Sequence, residues 1–363
     1  MQQKVNRSYK IIGLMSGTSL DGLDICCANF SLSESNDWSF EIEATQFITY
    51  PTELLKQLQR ATTLSGLEFM LLDKNLGVFY GEKVNVFLQE KKIDGSAIDA
   101  IASHGQTIFH QPEIGFTCQI GCGQSIATST GIQTINDFRK KDVLHGGQGA
   151  PLVPIGDKLL FSSFADAFLN IGGFANMTKI DRQNRVVAFD ICPANIAINH
   201  YTQQLHLAFD KDGAIAKNAR IDALLLKQLN DLEIYQQQQP PSLGWEWVEA
   251  TVLPLVEATQ LTVEEKIATL TEHAAYQIAQ RLNNTASQNV FVTGGGAKNQ
   301  FLMEQLAHYF TGKVVVPSTE IIDFKEALIF GFLGALFLEN TPNCLPEVTG
   351  ASKAVVGGVL HRP

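Results

Sequence analysis

Short apolar runs alternate with glycine-rich polar turns along this chain, and twice the period of the apolar positions changes from strand-like to helix-like. Residues 11–15 are apolar, 16–22 form a Ser/Gly/Thr/Asp turn, and 23–30 are mostly apolar again, which predicts a hairpin with a polar, glycine-containing tip. Residues 40–50 read as a third strand. Helical spacing follows over 51–60, where Leu54, Leu55 and Leu58 recur, and over 66–91. Residues 98–103 form a short buried strand that runs into His104-Gly105-Gln106-Thr107.

The design restarts downstream. Residues 165–171 are mostly apolar, 172–176 are a turn, 177–180 a returning strand and 186–189 a further strand. A loop over 190–195 leads into a helical segment over 196–207. Residues 290–293 are another short strand, followed by three glycines and a helix over 299–310. The Gln-rich stretch 235–247, with Pro240-Pro241, reads as a surface loop. The longest apolar run, 327–338, is bounded by Lys325-Glu326 and Glu339; it is too short for a bilayer core of about 30 Å and reads as a buried helix. Strand, glycine turn and strand thus occur twice. The pattern predicts an α/β protein of two related domains with an interdomain cleft, 1–133 and 134–363, with the last helices free to pack back on the first domain.

Composition narrows what such a chain binds. Apolar residues make up 45% and charged residues 18%, enough for ordinary packed cores. Lys and Arg number 27 against 37 Asp and Glu; the net charge of −10 repels polyanions and argues against non-specific nucleic-acid binding, while leaving room for a local basic pocket. No membrane span is expected. No secretory leader is expected either, because residues 1–10 are polar and the apolar stretch after them meets Asp21 and Asp24 almost at once. The six cysteines show no disulfide spacing, so a cytoplasmic location is expected, and Cys118 and Cys122 lack the second pair that a zinc site needs.

Five constellations could carry chemistry. In Ser16-Gly17-Thr18-Ser19-Leu20-Asp21-Gly22-Leu23, main-chain N–H groups and hydroxyls can hold phosphate oxygens, and Asp21 can hold Mg²⁺ through water; the same residues also make an ordinary hairpin turn. Gly172-Gly173-Phe174-Ala175-Asn176 stands at the equivalent place of the second repeat, and two such turns facing one cleft would clamp a polyphosphate. Gly294-Gly295-Gly296-Ala297-Lys298-Asn299 lets a flat ligand lie on the backbone at a helix N-terminus, or is a flexible joint. The Walker and Rossmann glycine patterns are absent from the sequence. Asp190 stands at the C-terminal end of an apolar strand, where a general base sits in open α/β folds; Asn195 fits a helix cap, and Asp190 is too far upstream for that. His104, Gln106 and His110, with residues 136–139 and 145–151, either suit a hydroxyl-rich ligand, Arg139 pairing with a carboxylate, or form a satisfied turn network.

Taken in order, the motif from Gly13 to Gly22, His104 to His110, Asn136 to Pro154, Asn170 to Asn176, Asp190 to Asn195 and Gly294 to Asn299 resemble the anhydro-N-acetylmuramic acid kinase family nearly end to end. The resemblance implies two RNase H-like domains of the actin-like ATPase type, a cytoplasmic homodimer, and peptidoglycan recycling. The implied reaction uses ATP, Mg²⁺ and water to open the 1,6-anhydro ring of an amino sugar and phosphorylate it. It also implies roles. Asp190 is the base; residues 16–23, Gly172, Gly173 and Asn176 hold phosphates; Gly294, Gly295, Gly296 and Asn299 lie near the adenosine; and His104, Gln106, Arg139, Asn195 and Glu326 serve the sugar.

The chain departs from the family pattern in two places. The family's Asp-Thr-Gly-Pro-Gly-Asn reads Asp190-Ile191-Cys192-Pro193-Ala194-Asn195, which removes a hydroxyl and would cost on the order of 1 kcal/mol wherever a lost glycine needs positive φ. Ser-Thr-Gly-Arg-Glu reads Ser242-Leu243-Gly244-Trp245-Glu246, so an arginine is missing.

Overall fold

The computed structural model describes residues 5–17, 19–181, 183, 185–237 and 243–363, which form a mixed α/β protein. The chain divides into two compact units, Met1–Leu160 together with Phe324–Pro363, and Phe161–Asp323.

The first unit opens with a meander of β1 (Val5–Met15), β2 (Gly22–Ser33) and β3 (Trp38–Thr49). Helices α1 (Thr52–Gln59) and α2 (Gly66–Lys91) follow, then β4 (Ala100–Ser103), the small hairpin β5 (Gln106–Gln111) and β6 (Phe116–Ile120), α3 (Gly123–Thr130) and β7 (Thr134–Asn136). The main sheet runs β3, β2, β1, β4, β7 and then a last strand, Val359–His361. β1 is antiparallel to β2 but parallel to β4. Period-two alternation sends Ile12 and Leu14 to one face of β1, into a core with Leu72, Leu76, Tyr80, Val84 and Phe87 of α2. α2 begins at a reciprocal capping box of Ser65 and Glu68.

The other face of β1 presents Gly13, and here glycine is required. A Cβ on Gly13 would lie 1.9 Å from the Ala327 carbonyl oxygen, because the helix Thr319–Leu338 lies directly on the strand. Phe332 of that helix meets Phe30 at 5.6 Å and Trp38 at 5.1 Å between ring centroids. The apolar run 327–338 is thus buried helix, and no described helix is long and apolar enough to cross a membrane.

The division differs from the expected boundary at 133/134. β7 begins at Thr134, pairs parallel with β4, and receives Val359–His361 as its antiparallel neighbour, so strands from both ends of the chain share one sheet and the segment up to 160 groups with the same unit.

The second unit contains β8 (Ala167–Ile171), β9 (Phe174–Ile180), β10 (Val186–Pro193), β11 (Asn289–Thr293) and β12 (Lys313–Val315), in the order β10, β9, β8, β11, β12. Its helices include α4 (Asn195–Thr202), α5 (Val263–Asn284) and α6 (Gln300–Tyr309). Numbered within each unit, both sheets run 3-2-1-4-5, with the first three strands antiparallel and strands 1, 4 and 5 parallel. α5 is the central core helix, with Ala274, Ala275, Ile278, Ala279 and Leu282 packed on the sheet residues. The sequence reading passed over α5 because its apolar stripe is interrupted by residues that are polar and nevertheless buried: Lys266, Thr269, Thr271, Glu272, His273 and Gln277.

Candidate active site

The first hairpin turn is built around two commitments. Leu20 takes φ 57° and its N–H donates to the Gly17 carbonyl at 3.3 Å; the Ser19 hydroxyl donates to Asp21 Oδ1 at 2.7 Å. Asp21 is exposed, a single hard carboxylate of the kind Mg²⁺ takes alongside waters and phosphates. Among the described residues no group of three or more His, Cys, Asp or Glu is placed to hold a metal. Gly22 is enclosed, a Cβ there meeting the Ile48 carbonyl oxygen at 2.2 Å, and the Leu23 side chain is in the core, so only their main chain can serve a ligand. Thr18 lies outside the described residues.

Ser16 and Gln106 are brought together, but inward. Ser16 Oγ donates to Gln106 Oε1 and lies 2.5 Å from the Tyr50 hydroxyl, which lies 2.9 Å from that of Tyr80. All four side chains are buried, and burial pushes the Tyr50 phenol up to about 12. This is a satisfied internal relay.

His104 and Arg139 form a second cluster. His104 Nδ1–H donates to the Ser16 carbonyl at 3.3 Å and Nε2 accepts from Arg139 Nε at 3.0 Å, which fixes the neutral tautomer. Burial first, and the Arg139 charge second, push the ring down to about 3. Both ring nitrogens are therefore spent on orienting Arg139. Arg139 also donates from Nη1 to the Gly149 carbonyl at 2.8 Å, and Gly149 N–H is held at 2.8 Å by the buried Asp142, whose other oxygen accepts from Thr349. The guanidinium is thus clamped at two nitrogens, leaving Nη2 for a ligand. Glu326 is open to solvent, yet the protein crowded around it pushes its carboxyl up, with Arg139 and then Lys325 opposing the shift. Beside it in sequence, Lys325 and Asp157 make a buried ion pair at 2.7 Å.

In the second unit the segment 190–195, expected as a loop, is mostly strand: β10 continues to Pro193 with a bulge between Asp190 and Cys192. Ile191 is the extra residue, and it is buried in the core. Asp190 pairs with Asn176, Asn176 with Asn170, and Asn170 with Thr293, a polar row across four strands. Asp190 is half-buried and caps no helix. Its Oδ2 accepts the Leu243 N–H at 2.9 Å, and burial raises its carboxyl while that N–H opposes the rise.

Asn195, expected as a cap, is instead the first residue of α4 and donates to the Ile171 carbonyl at 3.4 Å. The orphan N–H groups of Ala194, Asn195 and Ile196 are satisfied by the carbonyls of Gly172 and Gly173, so this turn is locked onto the helix start. Cys192 and Ala194 cost no left-handed strain. Cys192 is outside the positive-φ set and Ala194 has φ −125°.

Gly294 takes φ 82°, and a Cβ there would meet Asn170 Oδ1 at 2.5 Å; above Gly295 the nearest atom is Asn195 Nδ2 at 4.0 Å. Asn299 caps α6, accepting the Leu302 N–H at 2.9 Å. Gly295, Lys298, Asn299, Asn195, Asn199 and Lys211 are among the residues lining a cavity of about 420 Å³ within this unit, of a size that suits a small ligand. Asn195, expected on the sugar side, thus shares a cavity with residues expected near the nucleotide. Sequence reasoning missed Tyr50, Tyr80, Asp142, Thr349 and the Leu243 N–H, which carried no local signal because each meets its partner across 30 or more residues or supports the site indirectly.

A family model for anhydro-N-acetylmuramic acid kinase matches residues 9–363. The anhydro-N-acetylmuramic acid kinase of Shewanella oneidensis is 38% identical over 374 residues, covering 98% of this chain and 99% of the relative. That of Hahella chejuensis is 36% identical over 367 residues, covering 96% and 97%. Among solved structures, the activator of the 2-hydroxyisocaproyl-CoA dehydratase from Clostridium difficile with bound ADPNP aligns at 14% identity and a TM-score of 0.41, covering 91% of this chain and 97% of that one. With the match running through every motif described above, the chain belongs to the anhydro-N-acetylmuramic acid kinase family.

Proposed function

We propose that this protein opens the 1,6-anhydro ring of 1,6-anhydro-N-acetylmuramic acid with water and phosphorylates the freed oxygen from ATP, giving N-acetylmuramic acid 6-phosphate and ADP. Membership of the kinase family supports the phosphoryl transfer, and one structural observation supports the hydrolytic half. Asp190 stands on a bulged strand, half-buried, with one oxygen held by a main-chain N–H and outside any helix cap. In this reading Asp190 takes a proton from water as the water oxygen bonds to the anomeric carbon. The bond from that carbon to O6 breaks, O6 bonds to the γ-phosphorus, and ADP leaves; the proton on Asp190 returns to solvent.

Arg139, held by His104 and Gly149, pairs with the lactyl carboxylate through its remaining donors, Glu326 belongs to the sugar's polar surroundings, and the inward-facing Gln106 supports the Ser16 turn. The cavity lined by Gly295 and Asn299 takes the nucleoside end of ATP, with Gly294 and Gly296 shaping it and Asn195 at its edge. The turn from Ser16 to Leu23, including Thr18, and the Gly172-Gly173 turn with Asn176 serve the phosphates. Mg²⁺, bound through Asp21 and water, would neutralise phosphate charge. The shared 3-2-1-4-5 strand order supports reading each unit as RNase H-like and the chain as an actin-like ATPase fold. A cytoplasmic homodimer engaged in peptidoglycan recycling completes the reading.

The test is a single incubation with ATP, Mg²⁺ and the anhydro sugar, followed by mass spectrometry. The reading expects a product heavier by phosphate plus water. A gain of phosphate alone would mean an ordinary sugar-hydroxyl kinase, and no gain a non-catalytic nucleotide binder.

A further inference from the structure

The one described hydrogen bond to the Asp190 carboxylate comes from outside its own sheet, so something must keep the donor in place. The donor, Leu243, lies just before the short helix Trp245–Trp247. The residues that register this segment are on α5. His273, Gln277 and Arg281 recur at i, i+4 and i+8 and share one helix face. Asn230 Oδ1 accepts from His273 Nδ1–H at 2.7 Å and from Gln277 Nε2 at 2.9 Å, which leaves His273 Nε2 to accept the Tyr235 O–H at 3.0 Å. The Tyr235 ring stands edge-on to Trp247 with 6.5 Å between centroids, so the two ends of the 235–247 segment meet here. One turn further along α5, Arg281 donates to the Gln237 carbonyl at 3.2 Å and lies 5.3 Å over the ring of Phe189, the residue before Asp190. One helix face therefore registers both the segment that donates and the strand that accepts.

We propose that Tyr235 and His273 are positioning residues for the reaction: through Trp247 they hold the short helix Trp245–Trp247, so that the Leu243 N–H just before it stays on Asp190 Oδ2 and aims the carboxylate. This rests on reading Asp190 as the base. Around Asp190, the Cys192 thiol and the Tyr235 phenol are pushed up by burial, His273 is pushed down by burial to about 3, and burial lowers Arg281 from the ordinary arginine value.

The test compares Tyr235→Phe and His273→Gln with the unaltered enzyme, following kcat and both KM values against pH, with Asp190→Asn alongside. Loss of the N–H removes a bond that favours the carboxylate, so the acid limb of kcat should move up by about half to one pH unit. At neutral pH kcat should fall about 3- to 10-fold, with KM values changing less than about twofold. Tyr235→Phe removes a single oxygen and decides the matter even if His273→Gln unfolds. An unmoved acid limb in Tyr235→Phe, whether or not rate is lost, overturns the positioning role, while an inactive Asp190→Asn keeps the base reading. Normal turnover by Asp190→Asn sinks both.

Discussion

The two units share a strand order and use their polar residues in opposite ways. In the first, Ser16, Gln106, Tyr50 and Tyr80 satisfy one another, His104 spends both nitrogens, and Arg139 is gripped at two of its three. In the second, Asp190 stands on a bulge with a single main-chain donor, beside asparagines on neighbouring strands. The same strand order thus carries a densely hydrogen-bonded polar cluster in one unit and a sparsely bonded carboxylate in the other. In the proposed reaction Asp190 has to exchange a proton, and a carboxylate saturated with donors would be held too low to do so; Arg139, proposed to pair with a planar carboxylate, gains from being immobilised beforehand.

The comparison breaks most visibly at Asp190. Asp190→Asn is expected to cut sugar-dependent ADP release by about 10²- to 10⁴-fold while ATP binding, followed by calorimetry, stays within about twofold. The first unit should instead break as a scaffold. Gly13→Ala puts a methyl into the Ala327 carbonyl and should cost about 3 kcal/mol or more in urea unfolding, with activity per folded molecule retained. In acid the units should behave alike, because each buries one neutral histidine. His104 and His273 both sit at about 3, below the ordinary histidine value of about 6.5, so between these values the unfolded chain binds more protons than the folded one. Stability is then complete above pH 6.5 and falls as the pH drops toward 3, by about 1.4 kcal/mol per pH unit for each histidine. His104→Gln and His273→Gln should each remove one such increment from the slope. The smallest effect belongs to Ala194→Gly, which relieves no positive φ and should leave kcat unchanged within about twofold.

Much of the fold was legible because it is written locally. The opening hairpin, α2, the strand before His104 and the second glycine turn all announce themselves through short-range periodicity, and Asp190 could be singled out by its place at a strand end. What escaped is non-local. The bulge that turns residues 190–193 into strand depends on pairing with β9, not on composition. α5 was masked by polar residues buried against other polar residues. The loss of glycine at 192 and 194 looked costly from the sequence alone, but the cost depends on φ, and the backbone there runs outside the left-handed region. His104 and Gln106 were expected to meet a ligand; their partners, Ser16 and Arg139, come from segments far along the chain and face them inward.

The pairing of Val359–His361 with β7 sets an order of events during synthesis. Everything the second unit needs has been made once the ribosome passes Asp323, whereas the first unit waits for its final strand and for the helix that covers Gly13. At roughly 5–20 residues per second, the 163 residues between the two parts, 161–323, take about 8–33 s to translate. For that interval the nascent first unit carries an uncovered β1 and an open sheet edge, the kind of surface that holdase chaperones shield, while the intervening unit folds ahead of it.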